Sequence, residues 1–131
     1  MKDSEHIEEF LRFLREAELR HKAALEDMGM YEMQLQDIEH KLELCEVSYH
    51  ETAKLGKLLK KVRQQRRVAK DTAERLSPVI DWTAKQKSVV DNLSQLLGAV
   101  RKAEKWQQTR FYTPRTDVVE FPAAVGDSQK K

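Results

Sequence analysis

The sequence predicts an all-α protein: one long heptad-patterned, coiled-coil helix, a second antiparallel helix, and an extended C-terminal tail. Three observations carry that expectation. Apolar residues recur every seven positions over about seven repeats, beyond the three or four from which a coiled coil is argued. With 35% charged residues and only four Gly and three Pro in 131 positions, the composition suits long helices and starves turn-rich β architectures. The pair Ser77-Pro78 then reads as the start of a new helix, with Ser accepting a backbone bond and Pro sitting where a missing N–H does no harm.

The long helix rests on two interleaved series. One is Ile7, Leu14, His21, Met28, Leu35, Leu42, Tyr49, Gly56; the other, three residues on, is Phe10, Ala17, Ala24, Tyr31, Ile38, Cys45, Thr52, Leu59. These are the a and d positions of a heptad. Leu11, Phe13, Leu25 and Leu55 widen the stripe beyond a strict two-stranded seam. Beyond Tyr49 the phase slips, and the next series is Leu55, Val62, Ala69, Leu76. A slip that contains Gly56 predicts a hinge or turn there, since an interior Gly costs ~1 kcal/mol relative to Ala. Gly29, off the seam, is the weaker candidate for a break.

From Pro78 the second helix carries Val79, Trp82, Val89, Val90, Leu93, Leu96, Leu97, Val100 and Ala103 at helical spacing and is expected to fade between Gln108 and Arg110. Thr113 before Pro114 disfavours the α region, and the stretch from Pro122 to Lys131 is small, polar and glycine-containing. Residues 1–110 therefore read as a single helical domain, and residues 111–131 as a tail that is extended and then disordered.

Lengths give the oligomer expectation. A continuous helix over residues 4–75 would run roughly 105 Å at ~1.5 Å per residue, against roughly 48 Å for the helix from Pro78. The shorter cannot cover the longer. The seam of Ile7, Phe10, Leu14, Met28, Tyr31, Leu35, Ile38 and Leu42 is thus expected to be sheltered by another copy, making a homo-oligomer. The alternative is a three-helix bundle in which the chain folds back near Gly56.

Charge is segregated. Residues 1–51 hold six Lys and Arg against fourteen Asp and Glu, net −8; residues 52–76 hold nine against two, net +7. In a parallel pairing Lys41 would meet Glu46, but Asp27 would meet Glu32, so an antiparallel arrangement of acidic and basic blocks makes better use of the charge. The basic stretch of Lys54, Lys57, Lys60, Lys61, Arg63, Arg66, Arg67 and Lys70 is the candidate contact for nucleic acid or an acidic partner. Lys60, Arg63, Arg67 and Lys70 share a helical face that can track a phosphate backbone, with no interleaved aromatic for base stacking. Its bland counterpart is a solvated or internally paired face. Arg110, Phe111, Tyr112 and Arg115 form a candidate partner anchor on a non-helical strap, or a cap on the helix end beside Trp106.

Catalytic chemistry finds little footing. Glu18-x-x-His21 has the spacing of di-iron bundles and Asp37-x-x-His40 echoes it, but only His21 lies on the seam, so no metal and no cofactor are expected. Cys45, at a d position, reads as a small buried hydrophobe. No phosphate loop, nucleophile elbow or zinc-protease motif occurs. No apolar run approaches the ~18 residues of a membrane span. The expectation is a cytoplasmic, non-enzymatic, self-associating coiled-coil protein acting through protein partners, with no membrane partner and no small-molecule substrate. Two alternatives stand beside it: a nucleic-acid-binding accessory protein using residues 54–75, and an inhibitor of a nucleic-acid-handling enzyme whose acidic helix 3–51, with Glu32, Glu39 and Glu46, imitates nucleic acid.

Overall fold

The computed structural model describes residues 1–120; the expectation for the tail from Phe121 on lies outside the described residues. Three helices account for most of it: α1 (Asp3–Leu44), α2 (Tyr49–Lys85) and α3 (Lys87–Thr109), with no strand among the described residues. The described chain divides into two compact units, one of Arg12–Lys87 and one of Met1–Leu11 together with residues 88–120.

The unit Arg12–Lys87 is an antiparallel helical hairpin. Its turn corrects the expected break at Gly56, because α1 ends at Leu44 and the chain reverses over residues 45–48. Ser48 caps α2 there: extended at φ −67° and ψ 164°, its hydroxyl accepts the Glu51 N–H at 3.1 Å, while its carbonyl accepts the Thr52 N–H at 2.9 Å. The hydroxyl thereby satisfies one donor that a helix start otherwise leaves orphaned, and the carbonyl accepts the first bond of the helix itself. Gly56 is an ordinary exposed residue inside α2, and Gly29 lies inside α1. The continuous helix over 4–75 does not form.

Numbering runs in opposite directions along the two arms. Leu14 and Glu18 share a shallow groove with Ile80, Thr83 and Ala84; His21, Leu25 and Met28 with Lys70, Ala73 and Ser77; Ala24, Asp27 and Tyr31 with Gln65, Val68 and Ala69. The α1 stripe is the expected one over its middle. Leu14, Ala17, Ala24 and Ile38 are buried, and His21, Met28, Tyr31, Leu35 and Leu42 half-buried. On α2 the facing stripe is Leu55, Leu59, Val62, Arg66, Ala69, Ala73, Leu76, Ile80 and Thr83, a run of alternating four- and three-residue steps. The seam that was expected to need another copy is therefore covered by the chain's own α2. Ala17, Ala24, Ala69 and Ala73 keep the side chains at the contact small, which favours a short interaxial distance.

Pro78 is the second correction: it lies inside α2 rather than opening a helix. Its ring removes the N–H that would bond the Glu74 carbonyl. The α2 stripe passes through it unshifted, from Leu76 to Ile80 and Thr83, with Val79 half-buried beside it, and Pro78 itself is exposed. Keeping that stripe on the seam offsets one missing hydrogen bond. The interruption comes later, at Gln86 (φ −111°, ψ 39°), whose N–H bonds the Trp82 carbonyl at 2.8 Å.

In the other unit α3 runs antiparallel to the first turns of α1. Ser4 N–H donates to Glu104 Oε2 at 3.2 Å, and Arg101 Nη2 to Glu8 Oε2 at 2.7 Å. Ser4, Leu11 and Leu97 are buried, while Ile7, Val90, Leu93 and Val100 are half-buried. Phe10, expected on the seam, is instead 43% exposed, with Leu11 buried in its place. The stripe of α1 shifts by one residue here: Ile7 keeps the frame of Leu14 and His21, but Ser4 and Leu11 lie one residue past the positions of the series that holds Phe10, Ala17 and Ala24. As expected, α3 ends at Thr109; residues 110–114 are irregular and 115–119 bend.

Candidate interaction surfaces

The hairpin brings the two charge blocks together within one chain. Residues 26–46 of the acidic arm and 52–72 of the basic arm lie side by side, as the facing grooves require. Arg66 Nη2 and Nε both donate to Glu32 Oε1, at 3.1 and 3.3 Å. Both side chains keep solvent contact, so the pair fixes register more than it adds stability. Lys70 pairs within α2, 4.0 Å from Glu74. Of the acidic candidates Glu32 is thus engaged by α2, while Glu39 and Glu46 are exposed.

The other basic candidates are not consumed in this way. Among the described residues Lys54, Lys57, Lys60, Lys61, Arg63 and Arg67 make no ion pair, and all are exposed. Lys60, Arg63 and Arg67 border a shallow groove along α2 whose floor is Gly56 and Leu59 and which Gln64 also lines. A Cβ built on Gly56 would meet nothing within 4 Å, so the helix backbone is open to a ligand there.

A surface that the sequence reading did not separate lies on α3. Beside its inward stripe of Val90, Leu93, Leu97, Val100 and Glu104 runs a second one, one residue out of step: Val89, Asn92, Leu96, Ala99, Ala103 and Trp106. Its steps alternate between three and four residues, as in a coiled-coil seam. All six are exposed, Leu96 at 48% and Trp106 at 63%. The opposite flank, with Asp91, Ser94, Arg101, Lys102 and Lys105, is polar. The signal was present in the doublets Val89-Val90, Leu96-Leu97 and Ala99-Val100, which supply more apolar positions than one face can hold. Beyond Thr109 the strap residues Arg110, Phe111, Tyr112 and Arg115 are exposed, with Phe111 at 64% and Tyr112 at 60%.

Candidate chemistry fares differently. Cys45, expected on the buried seam, is exposed in the hairpin turn, because α1 has already ended at Leu44. Glu18 and His40 are exposed and His21 is half-buried, and among the described residues no group of three or more His, Cys, Asp or Glu could hold a metal ion. Among the described residues no helix is long and apolar enough to cross a membrane. No protein-family model matches the chain, and comparison with curated proteins and with solved structures gives no match.

Proposed function

We propose that the protein is a non-enzymatic helical interaction protein that associates with a second copy of itself through the exposed flank of α3. The observation that carries this reading is the stripe from Val89 to Trp106, which keeps heptad spacing without being spent inside the chain. It extends over about 26 Å at ~1.5 Å per residue, long enough for two to three heptad layers. Ala99 and Ala103 at its centre let another backbone approach closely, and Asn92 offers the polar group that fixes register in such seams. Trp106, Phe111 and Tyr112 are residue types that anchor interfaces, and Arg110 and Arg115 supply a polar rim. The α1 seam no longer supports self-association, since α2 covers most of it.

Sedimentation or light scattering of the full chain over a range of concentrations tests the reading. A multiple of 15.3 kDa is expected, and Leu96→Glu should return the particle to monomer mass with its helical circular dichroism intact. A parent chain that stays monomeric at every concentration would count decisively against it.

A further inference from the structure

We infer that the outward face of α2 binds the phosphate backbone of a nucleic acid. The cations of α2 separate into two rows. Arg66 and Lys70 are engaged, Arg66 by Glu32 of α1 and Lys70 by Glu74, while Arg63 stands unpaired between the rows on the groove it shares with Lys60 and Arg67. Lys57, Lys60, Lys61 and Arg67 lie to the sides and back of the Val62 and Ala69 seam, and among the described residues none of them makes an ion pair. At ~100° per residue these four and Gln64 fall on one side of the helix, over about 15 Å of its length. No acidic residue occurs in α2 between Thr52 and Lys70. A single nucleic-acid strand presents a phosphate every ~3.4 Å of duplex axis, so this row spans about four phosphates.

The neighbouring features narrow the ligand class. Insertion into a membrane surface needs an apolar helix face beside the cations. Most apolar residues of this stretch of α2 are committed to the hairpin, with Leu55 and Leu59 half-buried and Val62 and Ala69 buried, and the two exposed ones, Leu58 and Val68, stand ten residues apart and form no continuous apolar face. Base readout needs side chains that stack or bond bidentately to base edges, and the row carries no aromatic. What remains is contact with phosphate oxygens, with the Gln64 amide as an added donor. Binding of this kind has no sequence preference and is steeply salt-dependent.

Fluorescence anisotropy of the full chain against a labelled 20-base-pair DNA duplex and a 20-nucleotide RNA tests the assignment. With about four phosphates neutralised, affinity for the duplex should fall roughly 100-fold between 50 and 200 mM salt. The triple variant Lys57→Ala, Lys60→Ala, Arg67→Ala should lose most of the low-salt binding and flatten the salt slope to roughly −1. Lys102→Ala with Lys105→Ala, on α3, should change neither. Absence of binding to both probes at 50 mM salt overturns the inference, as does an equal loss in the α3 variant. Equally tight binding of polyglutamate would assign the face to an acidic protein and overturn it too.

Discussion

The hairpin of Arg12–Lys87 and the unit formed by the first turns of α1 with α3 solve the same problem by different means. In the hairpin the two arms share a continuous apolar seam that holds eight of the ten hydrophobic residues buried among the described residues: Leu14, Ala17, Ala24, Ile38, Val62, Ala69, Ala73 and Leu76. Among the described residues of the other unit only Leu11 and Leu97 are buried hydrophobics, and the two polar ties Ser4–Glu104 and Arg101–Glu8 set the register. One contact is made by excluding water and the other leans on hydrogen bonds that remain partly wet. Burial is non-directional and scales with area, whereas exposed polar ties contribute little each and weaken with salt. The hairpin should therefore be the stable part of the molecule. The α3 unit, with Leu96 and Trp106 still exposed, has apolar surface left over for another molecule.

The sharpest way to break that contrast is to truncate one residue from each side. Leu76, 3% exposed, should cost about 2 to 4 kcal/mol as Leu76→Ala, from lost transfer energy and the cavity left behind. Arg101→Ala, which removes an exposed ion pair, should cost about 0.2 to 1 kcal/mol. Thermal melts followed by far-UV circular dichroism would show the first as a large drop in Tm and the second as a small one. Equal drops would mean that the polar ties matter as much as the seam.

A smaller effect of opposite sign is expected at Pro78. A proline in a helix interior costs ~3 kcal/mol, while its rigidity removes ~0.4 to 1 kcal/mol of unfolded-state entropy. If α2 runs unbroken through Pro78, Pro78→Ala should stabilise the hairpin by about 2 kcal/mol and raise Tm. Were Pro78 the first residue of a separate helix, where proline is favoured, the same substitution would be neutral or harmful. The sign of the change decides which description is right.

Residues Leu14 to Leu42 announce their buried face because a seven-residue period in apolar residues survives any choice of partner. What the period does not encode is where the partner comes from, so a seam that α2 covers reads equally well as a seam for another chain. The turn was hidden because Tyr49, Thr52 and Gly56 happen to continue the heptad frame past the true end of α1. The clue was chemical: Ser48-x-x-Glu51 is a capping box, and it marks the start of α2 more securely than a lone glycine. Ser77-Pro78 misled for the converse reason, since a local start signal is overridden when residues on both sides must stay on one seam. For the candidate surfaces, residue types were legible at Lys57, Lys60 and Phe111. Which cations α1 would face was not, because that depends on the register of the hairpin.

The smallest expected effect tests the wet side of the comparison. A hydrogen bond from the Ser4 hydroxyl holds the Glu104 carboxyl below the usual glutamate range, against the opposing pull of desolvation. The Ser4 backbone N–H and the charges of Lys2 and Arg101 add to the lowering. A carboxylate whose folded pKa is depressed stabilises the fold above its unfolded value of about 4.3 and loses that contribution as pH falls through the folded value. Contact between α3 and the first turns of α1 should therefore loosen in acid before the seam of the hairpin does. Ser4→Ala removes the largest cause of the shift and leaves the backbone N–H in place. The Glu104 midpoint, followed by carbon NMR of its carboxyl, should then move up toward the ordinary range, while the loss of α3 contacts begins at a higher pH. A midpoint that does not move would show that the hydroxyl does not hold the carboxylate, and that α3 is kept in place by its apolar residues after all.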